Sequence, residues 1–162
     1  MRRIIVITFL AFIFYFIEFV LFNLLGRWFT PNLLITLIIF FNLYLGIRYS
    51  LLTAVMAGIV KDSFGIDFFG SNIFSFVICA YLTTLIKRYL YQIGSISSRV
   101  LLIFLITILN ALIHAMLNSI FNLVDFREMI VNVLFPEVLA TTLMANYVCA
   151  RLKKIVVKFS IK

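Results

Sequence analysis

Long apolar runs separated by brief polar interruptions dominate the chain. Ile4–Leu25, Val100–Val124 and Met129–Ala150 each reach the length of a bilayer-crossing helix, about 20 apolar residues. Between the first two lie shorter runs, Leu33–Ile47, Leu51–Val60 and Ile73–Ile86. These must borrow flanking residues, tilt, or sit where protein replaces lipid. Two arrangements of this middle region compete. In one, Arg48, Tyr49 and Ser50 form a tight turn, and six short spans result. In the other, Leu33 to Val60 is a single span with Arg48 near its centre, at a cost of at least about 2.5–3.5 kcal/mol. The pattern therefore predicts an all-α integral membrane protein with six short transmembrane helices.

Composition and charge sharpen this picture. Hydrophobic residues make up 65% of the 162 positions and charged residues 12%, too few to give a chain of this size a polar exterior. One six-helix bundle over residues 1–150 is expected, followed by a basic cytoplasmic tail over 151–162. The six-span arrangement puts Arg2, Arg3, Arg48, Lys87, Arg88, Arg99, Arg151, Lys153, Lys154, Lys158 and Lys162 on one side of the membrane. Only Arg27, Lys61 and Arg127 fall on the other, together with Asp62, Asp67, Asp125 and Glu128. Basic residues collect in cytoplasmic loops, so both termini are expected inside and the protein in the bacterial cytoplasmic (inner) membrane. The net charge of +8 sits at the edges of apolar runs, as lipid-facing topology signals do, and does not point to nucleic acid. Arg151, Lys153, Lys154 and Lys158 are placed to attract anionic lipids, at about 1 kcal/mol each. Arg2 and Arg3 precede an apolar run too long for a signal peptide, and it reads as an uncleaved first span.

Polar residues in hydrocarbon are costly and each needs a reason. Asn110, His114, Asn118 and Asn122 recur every four residues beside Ala111 and Ala115, forming one polar, small-residue stripe on the fifth span. Such a stripe belongs against another helix or a wet cavity. Cross-linking of the bundle outweighs a ligand or proton path as its explanation, at about 0.6 kcal/mol per hydrogen bond. Glu18 in the first span and Glu137 in the sixth, next to Pro136, are the intramembrane acids, and Glu137 is expected to face the stripe around His114. Ala54 and Gly58 form a small-x-x-x-small pattern with Asp62 at the same spacing, and Gly65 and Gly70 suit a sharp reversal into the fourth span. Homo-oligomerisation is left open by these patterns.

Catalysis finds little support. One histidine cannot supply a metalloprotease ligand set, and Ser71 and Ser119 lie in no nucleophile context. Asp62 and Asp67 share one loop, whereas opposed catalytic carboxylates usually come from different elements. Cys79 and Cys149 sit inside apolar runs without paired spacing and read as packing residues. No catalytic residue, metal site or cofactor is expected.

Pro31-Asn32-Leu33-Leu34 opens the second span and Gly46 closes it; Gly58-Ile59-Val60-Lys61-Asp62 ends the third, and Gly70-Ser71-Asn72 starts the fourth. This order and spacing resembles the rod shape-determining protein MreD family of bacteria, from Pro31 to about Tyr81. Asn32 stands where that pattern commonly has an aspartate, and Ile59 where it has a leucine. The resemblance implies a non-catalytic membrane scaffold of the cell-elongation machinery, or elongasome. Such a scaffold binds MreC and helps couple the MreB filament to peptidoglycan synthesis by RodA and a class B penicillin-binding protein. It also implies that Pro31, Gly58, Asp62, Gly70 and Asn72 are conformational or partner-contact positions, a local cap being the first role to expect of Asp62. The family is in turn similar to the substrate-binding membrane subunits of energy-coupling-factor transporters. That similarity leaves a vitamin-type transporter subunit as the alternative, although Tyr15 follows Ala11 where a docking alanine is expected. An ion or proton channel along the Asn110–Asn122 stripe is a third reading.

Overall fold

The computed structural model describes residues 2–26, 31–65, 68–90, 95–122 and 135–160, and six helices run through them. They are α1 (Arg2–Leu25), α2 (Leu33–Leu45), α3 (Ile47–Phe64), α4 (Ser71–Leu90), α5 (Ile96–Asn122) and α6 (Phe135–Ser160), with no strand among the described residues. α1 and α5 are long and apolar enough to cross a membrane by length and composition.

The short second helix forms the axis of the bundle. α2 has thirteen residues, about 20 Å at 1.5 Å per residue and well short of a hydrocarbon core of about 30 Å. Its residues Leu33 to Asn42 are all buried, the condition of a helix that is apolar on every side. α1, α3, α4, α5 and α6 all pack on it. Around it the neighbours run α1–α3–α4–α5–α6, and α1 and α6 do not meet among the described residues. Surrounded by protein, α2 has no need to reach both lipid surfaces.

The break between α2 and α3 falls earlier than the residue pattern predicts. Arg48, Tyr49 and Ser50 lie in the first turn of α3, and the reversal is made by Gly46 alone, at φ +91°. That backbone conformation is open to glycine at no steric cost. The Gly46 N–H bonds back to the Phe41 carbonyl at 3.0 Å, and the Ser50 hydroxyl donates to Ile38 O at 3.1 Å across the hairpin. The single-span alternative over Leu33–Val60 is thereby excluded. At the far end of the chain α6 continues without a break to Ser160, so residues 151–160 are helical; Leu152 is buried in the core, while Arg151, Lys153 and Lys154 are exposed.

The distribution of polarity is that of a bundle in lipid. Large exposed apolar side chains occur on every helix except α2, including Phe9, Phe16, Phe74, Met116, Leu139 and Leu143. Inside lie hydroxyl and amide side chains. Most of the hydroxyls bond a carbonyl one turn back, as Thr53 does to Tyr49 O at 2.7 Å, Thr83 to Cys79 O at 2.6 Å and Thr107 to Ile103 O at 2.8 Å. Local satisfaction of this kind is what a medium without water demands. Association of the helices then rests on close packing and interhelical hydrogen bonds. Gly58 illustrates the packing: a Cβ there would lie 2.5 Å from the Ile73 Cα. Ala111 and Ala115 play the corresponding part between α5 and α6, packing with Val138.

Candidate functional site: a polar cavity at one end of the bundle

A cavity of about 550 Å³ opens where the later halves of α1, α3 and α5 meet the beginnings of α2, α4 and α6. Consecutive helices therefore alternate in direction, and the cavity marks one end of the bundle. Tyr15, Glu18, Phe19 and Phe22 line it from α1, Lys61, Phe64 and Gly65 from the end of α3. Pro31 and Asn32 come from the start of α2, Asn72 from α4, Asn110 and His114 from α5, and Glu137 from α6.

Asn32 is the hub. Apolar residues from Leu33 onward favour a helix, and an amide just before them can satisfy one of its open N–H groups. Its Oδ1 accepts from the Ile35 N–H at 3.1 Å, while its Nδ2 donates to Glu137 Oε1 at 2.7 Å. Its own N–H donates to Thr141 Oγ1 at 2.7 Å. One residue thus caps α2 and fastens it to α6 across more than a hundred positions of sequence. Glu18 performs a parallel task from α1: its Oε1 accepts from the Leu34 N–H at 2.8 Å, and its Oε2 lies 4.0 Å from the Lys61 Nζ. Glu18 and Glu137 thus meet open N–H or amide donors around the start of α2, where the helix dipole favours negative charge.

Asp62 closes the cavity end from the other side. It is 5% exposed and accepts four hydrogen bonds: Oδ2 from Gly70 N at 3.0 Å and Ile73 N at 3.2 Å, Oδ1 from Asn72 N at 3.1 Å and Asn72 Nδ2 at 2.8 Å. A carboxylate at the end of α3 thereby caps the start of α4. With both oxygens occupied twice, it has no lone pair open for acid–base chemistry. Gly58 lies one turn before Asp62 on the same face, and the close approach at Gly58 brings the carboxylate within reach.

The stripe on α5 divides. Asn110 Oδ1 accepts from the Ser75 hydroxyl at 2.6 Å, tying α5 to α4, and Cys79 packs beside it. Asn118 Nδ2 and His114 Nδ1 lie 3.2 Å apart within α5, and the side chain of Asn122 lies outside the described residues. Glu137 and His114 share the cavity, but the carboxylate spends its short hydrogen bond on Asn32. Pro31, Asn32, Asn72 and Glu137 are all brought to this one end, as are Glu18, Asn110 and His114; Gly58, Gly70 and Asn118 flank it. Asp67, Asp125, Glu128, Arg27 and Arg127 lie outside the described residues.

Several polar links escape a reading of the residue pattern. Asn42 donates to Ala80 O at 2.8 Å and to Thr84 Oγ1 at 2.9 Å, and the Lys87 ammonium donates to the carbonyls of Asn42 and Leu43 at 3.0 and 3.1 Å. Lys87 thus closes the C-terminal end of α2 with charge of the favourable sign. A lone amide inside the otherwise apolar run Leu33–Ile47 was the signal for Asn42; nothing in sequence separates Lys87 from any basic flank. Among the described residues, no three His, Cys, Asp or Glu side chains converge as metal ligands would.

The family model of the rod shape-determining protein MreD matches residues 1–150. No curated relative and no solved structure matches the chain. The match runs through all the cavity residues and far beyond the Pro31–Tyr81 motifs, and the chain belongs to the MreD family, membrane proteins with a structural part in determining rod shape.

Proposed function

We propose that the chain is a multi-pass scaffold of the bacterial inner membrane. In this reading it crosses six times with both termini cytoplasmic, binds MreC, and helps couple the MreB filament to peptidoglycan synthesis by RodA and a class B penicillin-binding protein. The observation that carries the reading is the MreD family match over residues 1–150. Alternation of the helices supports the topology. Arg48, Arg88 and Arg99 lie at the end of the bundle away from the cavity, as do the exposed Arg151, Lys153 and Lys154. Basic residues favour the cytoplasmic side, and the cavity then faces the periplasmic half. The exposed cations at the end of α6 suit anionic lipids of the inner leaflet. The bundle forms one domain, residues 151–160 extending its last helix into the cytoplasm. Pro31, Gly58, Asp62, Gly70 and Asn72 act here as conformational residues that hold the helix ends.

The test is recovery of bound proteins with the tagged chain from its native membrane. MreC in the eluate is expected. A paired ATPase module carrying a vitamin in its place would overturn the scaffold. The cavity, half open and lined by both aromatic and polar side chains, supports a transporter subunit as the second reading. Against it, Ala11 is fully buried and Tyr15 stacks on Phe64 at 5.4 Å, so neither offers an outward docking face on α1.

A further inference from the structure

We propose that the cavity is a binding site for an ammonium group, carried by a small amine or by an aminophospholipid headgroup. Its volume falls within the range of small-molecule sites, about 300–1,000 Å³. The sign of the ligand follows from the charged groups that line the cavity, Glu18 and Glu137 against Lys61. Asn32 Nδ2 and Asn72 Nδ2 each spend one N–H on a carboxylate, Glu137 and Asp62, while Asn110, whose Oδ1 accepts from Ser75, keeps its amide N–H groups for an acceptor that the ligand carries beside its cation. Acceptors are left over. Glu137 Oε2 receives no hydrogen bond among the described residues, and Glu18 Oε2 has only Lys61 at 4.0 Å, beyond hydrogen-bond length. Two acids thus face one ammonium, and a ligand that brings donors and positive charge complements them. The aromatic rings of Tyr15, Phe19 and Phe64 line the same space and offer π faces to a cation. Asp62 does not compete, since its four acceptor positions are filled.

This inference goes beyond the scaffold reading and is measured on the isolated chain, so its failure leaves the recovery of MreC untouched. The full chain, purified in an amine-free neutral detergent, is melted in ethanolammonium chloride and in sodium chloride of equal ionic strength. In parallel, native mass spectrometry compares retention of phosphatidylethanolamine and phosphatidylglycerol. A saturable rise in melting temperature specific to ethanolammonium assigns a free amine; selective retention of phosphatidylethanolamine alone assigns the lipid. Absence of both effects would overturn the proposal. Glu137→Gln should weaken whichever is bound by roughly 10–100-fold, the scale of a charge-assisted hydrogen bond. Lys61→Gln, which removes the resident cation from a mostly buried ion pair, should strengthen binding several-fold. That second variant decides the case where Glu137→Gln fails to fold: unchanged or weaker binding in Lys61→Gln overturns the proposal.

Discussion

Replacing Gly58 by alanine tests the packing that organises the cavity end. The added Cβ would sit 2.5 Å from Ile73 Cα and 2.8 Å from both Ile73 N and Ile73 Cγ1. Carbon atoms rest at about 3.5–4.0 Å, so α3 and α4 must part by roughly 1 Å. Two of the three clashing atoms are backbone, and no rotamer change relieves them. Overpacking of this kind costs about 1–3 kcal/mol. The same separation stretches the bonds from Gly70, Asn72 and Ile73 to Asp62, one turn along α3, adding about 1 kcal/mol for a weakened cap. The better helix propensity of alanine returns about 0.8–1.0 kcal/mol, for a net loss of about 2 kcal/mol. Equilibrium unfolding in mixed micelles, with rising denaturing detergent, measures this. Adding Ile73→Ala should not restore stability, because the Ile73 Cα and N remain in place. A Gly58→Ala protein within about 0.5 kcal/mol of wild type, or full rescue by Ile73→Ala, would refute the reasoning.

Three further outcomes are expected. Asn32→Asp sets a carboxylate oxygen against Glu137, where an amide now donates at 2.7 Å, and should cost about 2–3 kcal/mol in thermal or detergent unfolding. Adding Glu137→Gln restores a donor and should recover most of that loss, whereas simple additivity of the two changes would contradict the pairing. Lys87→Met removes both donors to the Asn42 and Leu43 carbonyls and should cost about 1–2 kcal/mol by the same measurement, with no change in ammonium binding at the opposite end of the bundle. Finally, an impermeant maleimide on intact spheroplasts should label Phe68→Cys and leave Arg88→Cys unlabelled, both sites being exposed and the native Cys79 and Cys149 buried; the reverse pattern would invert the topology.

The residue pattern located the helices through hydropathy and their ends less well. Ile4–Leu25 reappears almost unchanged as α1, because its polar flanks are sharp. The residue pattern places the turn after α2 at Arg48, the conspicuous polar residue there, while the conformational demand falls on Gly46, two positions earlier. Gly58 and Asp62 were legible as a pair from their spacing. That Asp62 reaches forward to the next helix depends on how closely α3 and α4 approach, which spacing on one helix does not encode. The expected meeting of Glu137 with His114 was half realised: both reach the same cavity, yet the capping residue Asn32, standing where a carboxylate would repel, takes the hydrogen bond. Long-range partners such as Thr141 carry no local mark, since a hydroxyl bonded one turn back looks the same in sequence whether or not it also accepts from a distant N–H.

The position of α2 has a consequence for biogenesis. Made before α3, it is too short to cross the hydrocarbon unaided, and its amides at 32 and 42 find their mates only on α6 and α4, which are made after it. In the proposed six-span topology, it travels until then as a hairpin with α3, through Ser50 and the Gly46 bend. The centre of the finished molecule is therefore completed late, and a chain stalled before α6 would leave that centre unlatched.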